Sequence, residues 1–203
     1  NSFVSGIWSG AYRVSSTTLT STGRAIINVT GDMTWATSLD AGTYWVDVAS
    51  AGTLSSGPWS PPVVPEGAGN GLQDTGSGFA AVSGNDDFPF ELFGTAVAGT
   101  VCYNNGPFVT GIGNGAGGAN TSVITNGTLF GYGSQGGTIN NRIADDFGVA
   151  TGTTLAADGL VWRSYQTSAP TTGTITGINV NLWDADPTLG GAPALSGATA
   201  DGE

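Results

Sequence analysis

The sequence predicts an all-β fold, a β-sandwich or jelly roll of about ten strands with long Gly-rich loops. Three observations carry that expectation. Apolar and aromatic residues alternate with polar ones at period two in several stretches. No window keeps a 3.6-residue apolar period without interruption by Gly, so helix signals are nearly absent. Clusters rich in Gly, Asp, Asn and Ser, such as "LDAGT", "SGNDD", "GSQGG" and "DPTLGG", punctuate the alternating stretches as turns.

Taken in order, "RAIINVTGD" (24–32) reads as a strand, followed by "GTYWVDVAS" (42–50). In the second, Tyr44, Val46 and Val48 fall on one face and Trp45 and Asp47 on the other. "GPWSPPVVPEG" (57–67) holds four prolines and cannot be a central strand, because proline removes a ladder donor. It is either an extended edge segment or a rigid loop around Trp59. "PFELFGTAV" (89–97) reads as a strand. The stretch 106–137 is the richest in Gly and should be dominated by loops and offer a contact surface. "RIADDFGVA" (142–150) and "DGLVWRSYQTS" (158–168) read as strands. In "TITGINVNLWD" (174–184), the alternation of Ile178, Val180 and Leu182 slips against Ile175 at Gly177, which predicts a β-bulge there.

Composition narrows the function. The chain has 203 residues, enough for one β domain or two small ones, and a globule of that size buries roughly 70% of its unfolded surface. Six Trp, eight Phe and five Tyr supply a core, so the 35 Gly mark turns rather than disorder. Four Arg (Arg13, Arg24, Arg142, Arg163) stand against fifteen acids, without Lys or His, and the formal net charge is −11. Such a surface repels nucleic-acid phosphates and anionic membranes. No run of about 20 apolar residues predicts a membrane span.

Cys102 is the single cysteine, which excludes an intramolecular disulfide and a cysteine zinc site. It reads as a small buried side chain or as a disulfide partner for another chain. Met33 is the one methionine, and no signal peptide is visible, so the chain reads as a processed product or a segment of a longer one.

Without His or Lys, triads and Schiff-base chemistry are excluded, and the chain reads as non-catalytic. The paired acids Asp145–Asp146 and Asp86–Asp87 would point to opposite faces of a strand and do not make a glycosidase signature. Asp146 is also a candidate partner for one of the arginines. Asp184 and Asp186 in "WDADPTLGG" are candidate Ca²⁺ ligands, as are Asp86 and Asp87, against the alternative that Asp before Pro or Gly simply caps a turn. No other cofactor is implied. Trp8, Trp59 and Tyr132 sit beside Gly or Pro and are candidate glycan-contact residues, against the alternative of core burial. Asn28, Asn120 and Asn126 lie in N-x-Ser/Thr sequons and are candidate glycan attachment sites.

"NNRIADDFGV", "DGLVWRSYQT" and "GTITGINVNLWDADPTLGG" together resemble an ADDF…YQT…WD…P…GG pattern of secreted bacterial β-sandwich proteins of poorly defined function. "YRVSSTTLTSTGRAI", "LDAGTYWVDV", "GPWSPPV" and "PFELFG" resemble other parts of the same proteins. The family order differs from the order here. In family order the sandwich would open at residue 100, run to 203, continue from 1 and close at 95. Residues 1–95 would then form its C-terminal part, 96–99 a joint, and 100–203 its N-terminal part, one sandwich unit together. A four-residue joint reaches at most about 13 Å, so units linked through it would stack. The resemblance implies an extracellular protein. The rotated order implies a tandem array, a circular permutant, or strands exchanged with a neighbouring unit. The expected function is a structural subunit of an extracellular filament or cell-surface coat, a head-to-tail homopolymer. A secreted carbohydrate-binding module is the alternative.

Overall fold

In the computed structural model, the described residues are 2–33, 38–64, 69–84, 86–96, 99–100, 103–124 and 131–197. The strands are β1 (Ser2–Ser15), β2 (Ala25–Asp32), β3 (Gly42–Gly52), β4 (Trp59–Ser60), β5 (Leu72–Asp74), β6 (Phe79–Ala81), β7 (Phe90–Ala96) and β8 (Gly99–Thr100). They continue with β9 (Tyr103–Asn104), β10 (Asn120–Ile124), β11 (Tyr132–Gly133), β12 (Arg142–Val149), β13 (Leu155–Ser164), β14 (Ile175–Trp183) and β15 (Leu195–Gly197). Two short 3₁₀ turns accompany them.

The strands form two sheets. A seven-stranded sheet runs β10-β1-β2-β13-β7-β8, with β9 also on β7, and a six-stranded sheet runs β15-β14-β3-β12-β5-β6. A two-stranded pair, β4 with β11, lies apart. The all-β expectation holds, with more strands than the ten or so that the sequence displays. The excess comes from strands of two or three residues, too short for a period of two to show.

Strands from the first part of the chain, β1 to β7, and from the second, β8 to β15, are intermixed in both sheets. Of residues 96–99, expected as a joint, Ala96 pairs with Gly99, next to Thr95 with Thr100, and residues 97 and 98 lie outside the described residues. Cys102 and the span between residues 203 and 1 lie outside the described residues.

Alternation explains which side chains meet. Val46 and Val48 of β3, Ile143 and Phe147 of β12, and Ile178, Val180 and Leu182 of β14 face Ile27 and Val29 of β2, Leu160 and Trp162 of β13, and Phe90 and Leu92 of β7. Trp162 is fully buried, stacks on Phe90 at 5.7 Å between centroids, and donates its indole N–H to Ser60 Oγ at 2.7 Å. Burying side chains of this size stabilises the fold by about 1.5–3 kcal/mol each. The predicted slip occurs where expected, between Ile175 and Gly177 in the β14–β3 ladder.

Apolar clusters also form on both outer faces. Ala11, Ile26 and Tyr165, outside the seven-stranded sheet, are covered by Trp59, Phe108 and Val109. The proline-rich segment provides that cover. Trp59 exchanges backbone hydrogen bonds with Tyr165 at 2.8 Å each way, and Pro61–Val64 then run buried without strand pairing. Outside the six-stranded sheet, Trp45, Leu72 and Ala144 pack with Phe79 and Trp183. Among the described residues of 106–137, loops dominate as expected, but β10 is a strand that pairs in parallel with Ala11–Ser15.

Candidate functional site

The densest polar constellation is built on the outer face of the six-stranded sheet. Alternation in β3 turns Asp47 away from Val46 and Val48, and the register sets Ala144 of β12 and Asn181 of β14 opposite it. Asp47 is fully buried. Its carboxylate accepts from Arg142 Nε, from Asn181 Nδ2 at 3.1 and 3.3 Å, and from Trp183 Nε1 at 2.5 Å. Arg142 also donates to Asn179 Oδ1 at 2.9 Å. One carboxylate thus ties three adjacent strands. Burial pushes the Asp47 carboxyl up, while Arg142, Trp183 and Asn181 act against that push.

A second constellation joins the two Asp-Asp-Phe segments. Asp145 lies on the inner face of β12 and is fully buried, whereas Asp146 on the opposite face is half-buried. Asp145 accepts from the Phe88 backbone N–H and from Asn105 Nδ2, both at 2.6 Å, and from the Asp146 N–H at 2.9 Å. Burial raises its pKa to about 8, with Asp87 and Asp146 adding to the rise and the backbone donors opposing it. Asn105 receives the Tyr103 hydroxyl at 3.1 Å. Burial and the neighbouring acids push that phenol up to about 12. Asp86 accepts from the Tyr132 hydroxyl at 2.7 Å, and Asp87 from the N–H groups of Gly69 and Asn70.

Arg13, Arg142 and Arg163 serve as inter-strand ties. Arg13, 2% exposed, donates to Ser122 Oγ at 2.9 Å and to the Val123 carbonyl, joining β1 to β10, and burial pulls its pKa down. Arg163 on β13 pairs with Glu91 on β7 at 2.6 Å and lies 5.2 Å from the Phe108 ring. Arg142 pairs with Asp47. Arg142 and Arg163 thus pair with Asp47 and Glu91 rather than with Asp146, a partner the sequence suggested.

The residues singled out from the sequence are dispersed. Tyr132, a candidate glycan contact with core burial as the alternative, is 6% exposed and packs edge-on against Phe88, because its hydroxyl reaches Asp86 and the Ser83 carbonyl inside the fold. Trp8 and Trp59 are half-buried and pack against different clusters, so the three aromatics form no common platform. Asp186 caps the turn Pro187–Leu189 by accepting from the Thr188 N–H at 2.8 Å, while Asp184 is exposed beside it. Among the described residues no group of three or more acids is arranged to hold a metal ion.

Asn28 sits in the middle of β2, between Ile7 of β1 and Arg163 of β13, with its Oδ1 buried. That placement is unsuited to glycan attachment. Asn120 opens β10 and accepts from the Gly113 N–H at 3.1 Å. Asn126 lies outside the described residues.

No motif in the sequence marks Asp47, Asn181, Trp183 and Asn105 as members of polar constellations. Part of the signal was present, since alternation in "NVNLWD" places Asn179, Asn181 and Trp183 on one face. No helix among the described residues is long and apolar enough to cross a membrane. No protein-family model, no curated protein and no solved structure matches the chain.

Proposed function

We propose that the chain is a non-catalytic structural subunit of an extracellular filament or cell-surface coat, assembled from copies of itself. The observation that carries this reading is the use made of the ionisable side chains. Asp47 with Arg142, Glu91 with Arg163, and Arg13 with Ser122 each bind one strand to its neighbour. Asp145 and Asp87 bind backbone N–H groups of loops, and Asp74 holds a turn through Gly76 and Gly78. The ion pairs and Arg13 tie strands within the sheets, and the other carboxylates hold the loops and turns in place. A subunit whose task is to keep its shape uses polar groups in this way. A ligand site would gather them at one accessible place.

Electron microscopy and sedimentation of the purified chain at rising concentration test the reading. Ordered assemblies are expected, and a chain that stays monomeric at every concentration would overturn it. A glycan array separates the alternative, a secreted carbohydrate-binding module. Specific binding lost in Trp59→Ala or Trp8→Ala would favour the module.

A further inference from the structure

β1 is fourteen residues long, and only five residues of its outer edge are covered. Residues Ala11–Ser15 pair with β10. Among the described residues nothing pairs with the outer edge of Ser2–Trp8, and its backbone makes hydrogen bonds to β2 alone. The other outer strands, such as β6 and β15 with three residues each, are short. An uncovered edge is a row of unpaired N–H and C=O groups that an extended strand completes. This stretch also exposes apolar side chains, Val4 at 58% and Ile7 at 64%.

Charge indicates what the added strand is. The chain carries −11, so copies repel one another. Residues 1–12 hold no charged side chain, and the first one after them, Arg13, is buried. An uncharged edge admits the same edge of another copy without placing like charges in contact.

We infer that Ser2–Trp8 pairs, antiparallel and edge to edge, with the same stretch of a second copy of this chain. A two-fold contact requires the antiparallel direction. The register that centres the axis on Gly6 and keeps the Val4–Ser5 bulge sets Val4 against the partner's Ile7 on the outer face. It also sets Phe3 against the partner's Trp8 towards the core. Such cross-strand apolar and aromatic pairs contribute roughly 0.2–1 kcal/mol each. Asp32, the charge nearest the edge, is the ladder partner of Ser2. The register separates the two copies of Asp32 by six ladder positions along the strands, about 20 Å. That exceeds the Debye length of about 8 Å. The bulge at Val4 lies within the stretch, and the register shift after Trp8 ends it and keeps the contact short. The inference rests on the structural reading above and refines it. The contact closes a pair, and a filament then requires a second, different contact between pairs.

Sedimentation velocity over a concentration series compares the wild type with the double variant Val4→Lys/Ile7→Lys and with Ile112→Lys, a control at a loop residue 89% exposed. The expected result is a dimer for wild type and Ile112→Lys, weakened at least about tenfold, or 1.4 kcal/mol, in the double variant. Circular dichroism checks that the double variant remains folded. In a Cys102→Ser background, a mixture of Val4→Cys and Ile7→Cys chains is expected to cross-link faster than either alone. A wild type that stays monomeric overturns both this contact and the structural reading. Association that is equally strong in the double variant, or cross-linking no faster in the mixture, overturns the contact and leaves the structural reading standing.

Discussion

The Asp145 carboxylate accepts the Phe88 backbone N–H at 2.6 Å, which fastens β12 to the start of β7 through two copies of the same tripeptide, Asp86-Asp87-Phe88 and Asp145-Asp146-Phe147. Asn105 donates to the same oxygen and so anchors the end of β9 at this point.

Asp145 makes stability depend on pH in a definite direction. Its pKa rises from 3.8 in the unfolded chain to about 8 in the fold. Between these values the native state holds a proton that the unfolded state has released, so stability falls as pH rises through this window. Asp47, also raised, adds in the same direction. Urea denaturation at pH 4 to 9 should show a decline on the order of a few kcal/mol. Asp145→Asn should flatten most of it.

Removing Asp47 should be costly. Asp47→Ala leaves Arg142, Asn181 and Trp183 without their common acceptor on a covered sheet face. The expected loss is about 3–5 kcal/mol, as for breaking a buried pair from one side. In Asp47→Leu/Arg142→Leu the loss should be smaller than the sum of the single changes, which a double-mutant cycle by urea denaturation measures.

Trp162 fills the centre of the sandwich between Phe88 and Phe90. Trp162→Ala should cost about 3–5 kcal/mol. Trp162→Phe should cost less, because the ring contacts persist while Ser60 Oγ loses its donor. Thermal unfolding followed by tryptophan fluorescence and circular dichroism checks both.

Asn28 should remain unmodified when the chain is produced in a host that glycosylates N-x-Ser/Thr sequons. Its side chain lies on a central strand with its oxygen buried. Peptide mass spectrometry of the purified protein reads the occupancy directly.

Trp59 covers Ala11, Ile26 and Tyr165, so its removal should act on stability. Trp59→Ala should lower the midpoint of urea unfolding by an amount equivalent to about 3 kcal/mol. A stable variant with an altered glycan profile would instead favour the carbohydrate-binding alternative.

Several features were legible in the sequence because they follow from local geometry. The period of two in "GTYWVDVAS" separates Val46 and Val48 from Trp45 and Asp47, and the fold keeps that division, with one face in the core and the other under the Phe79–Trp183 cluster. The bulge at Gly177 showed as a slip in alternation. The prolines around Trp59 excluded a central strand, and Pro61–Val64 lie outside both sheets. Strand character, face and breaks in register depend on a few consecutive residues, and so the sequence by itself determines them.

What lies between distant residues was decided only by tertiary structure. Asp47 meets Arg142 and Asn181 across separations of 95 and 134 positions, through a strand order that no local pattern encodes. Tyr132 stands between glycines as a surface residue would, yet a second layer of chain buries it against Phe88. β10 becomes a strand because the edge of β1 is there to receive it. Pairing partners, burial of turn residues and the fate of each carboxylate arise from free energies summed over the whole packed chain, and they exist only once both sheets have closed over the core.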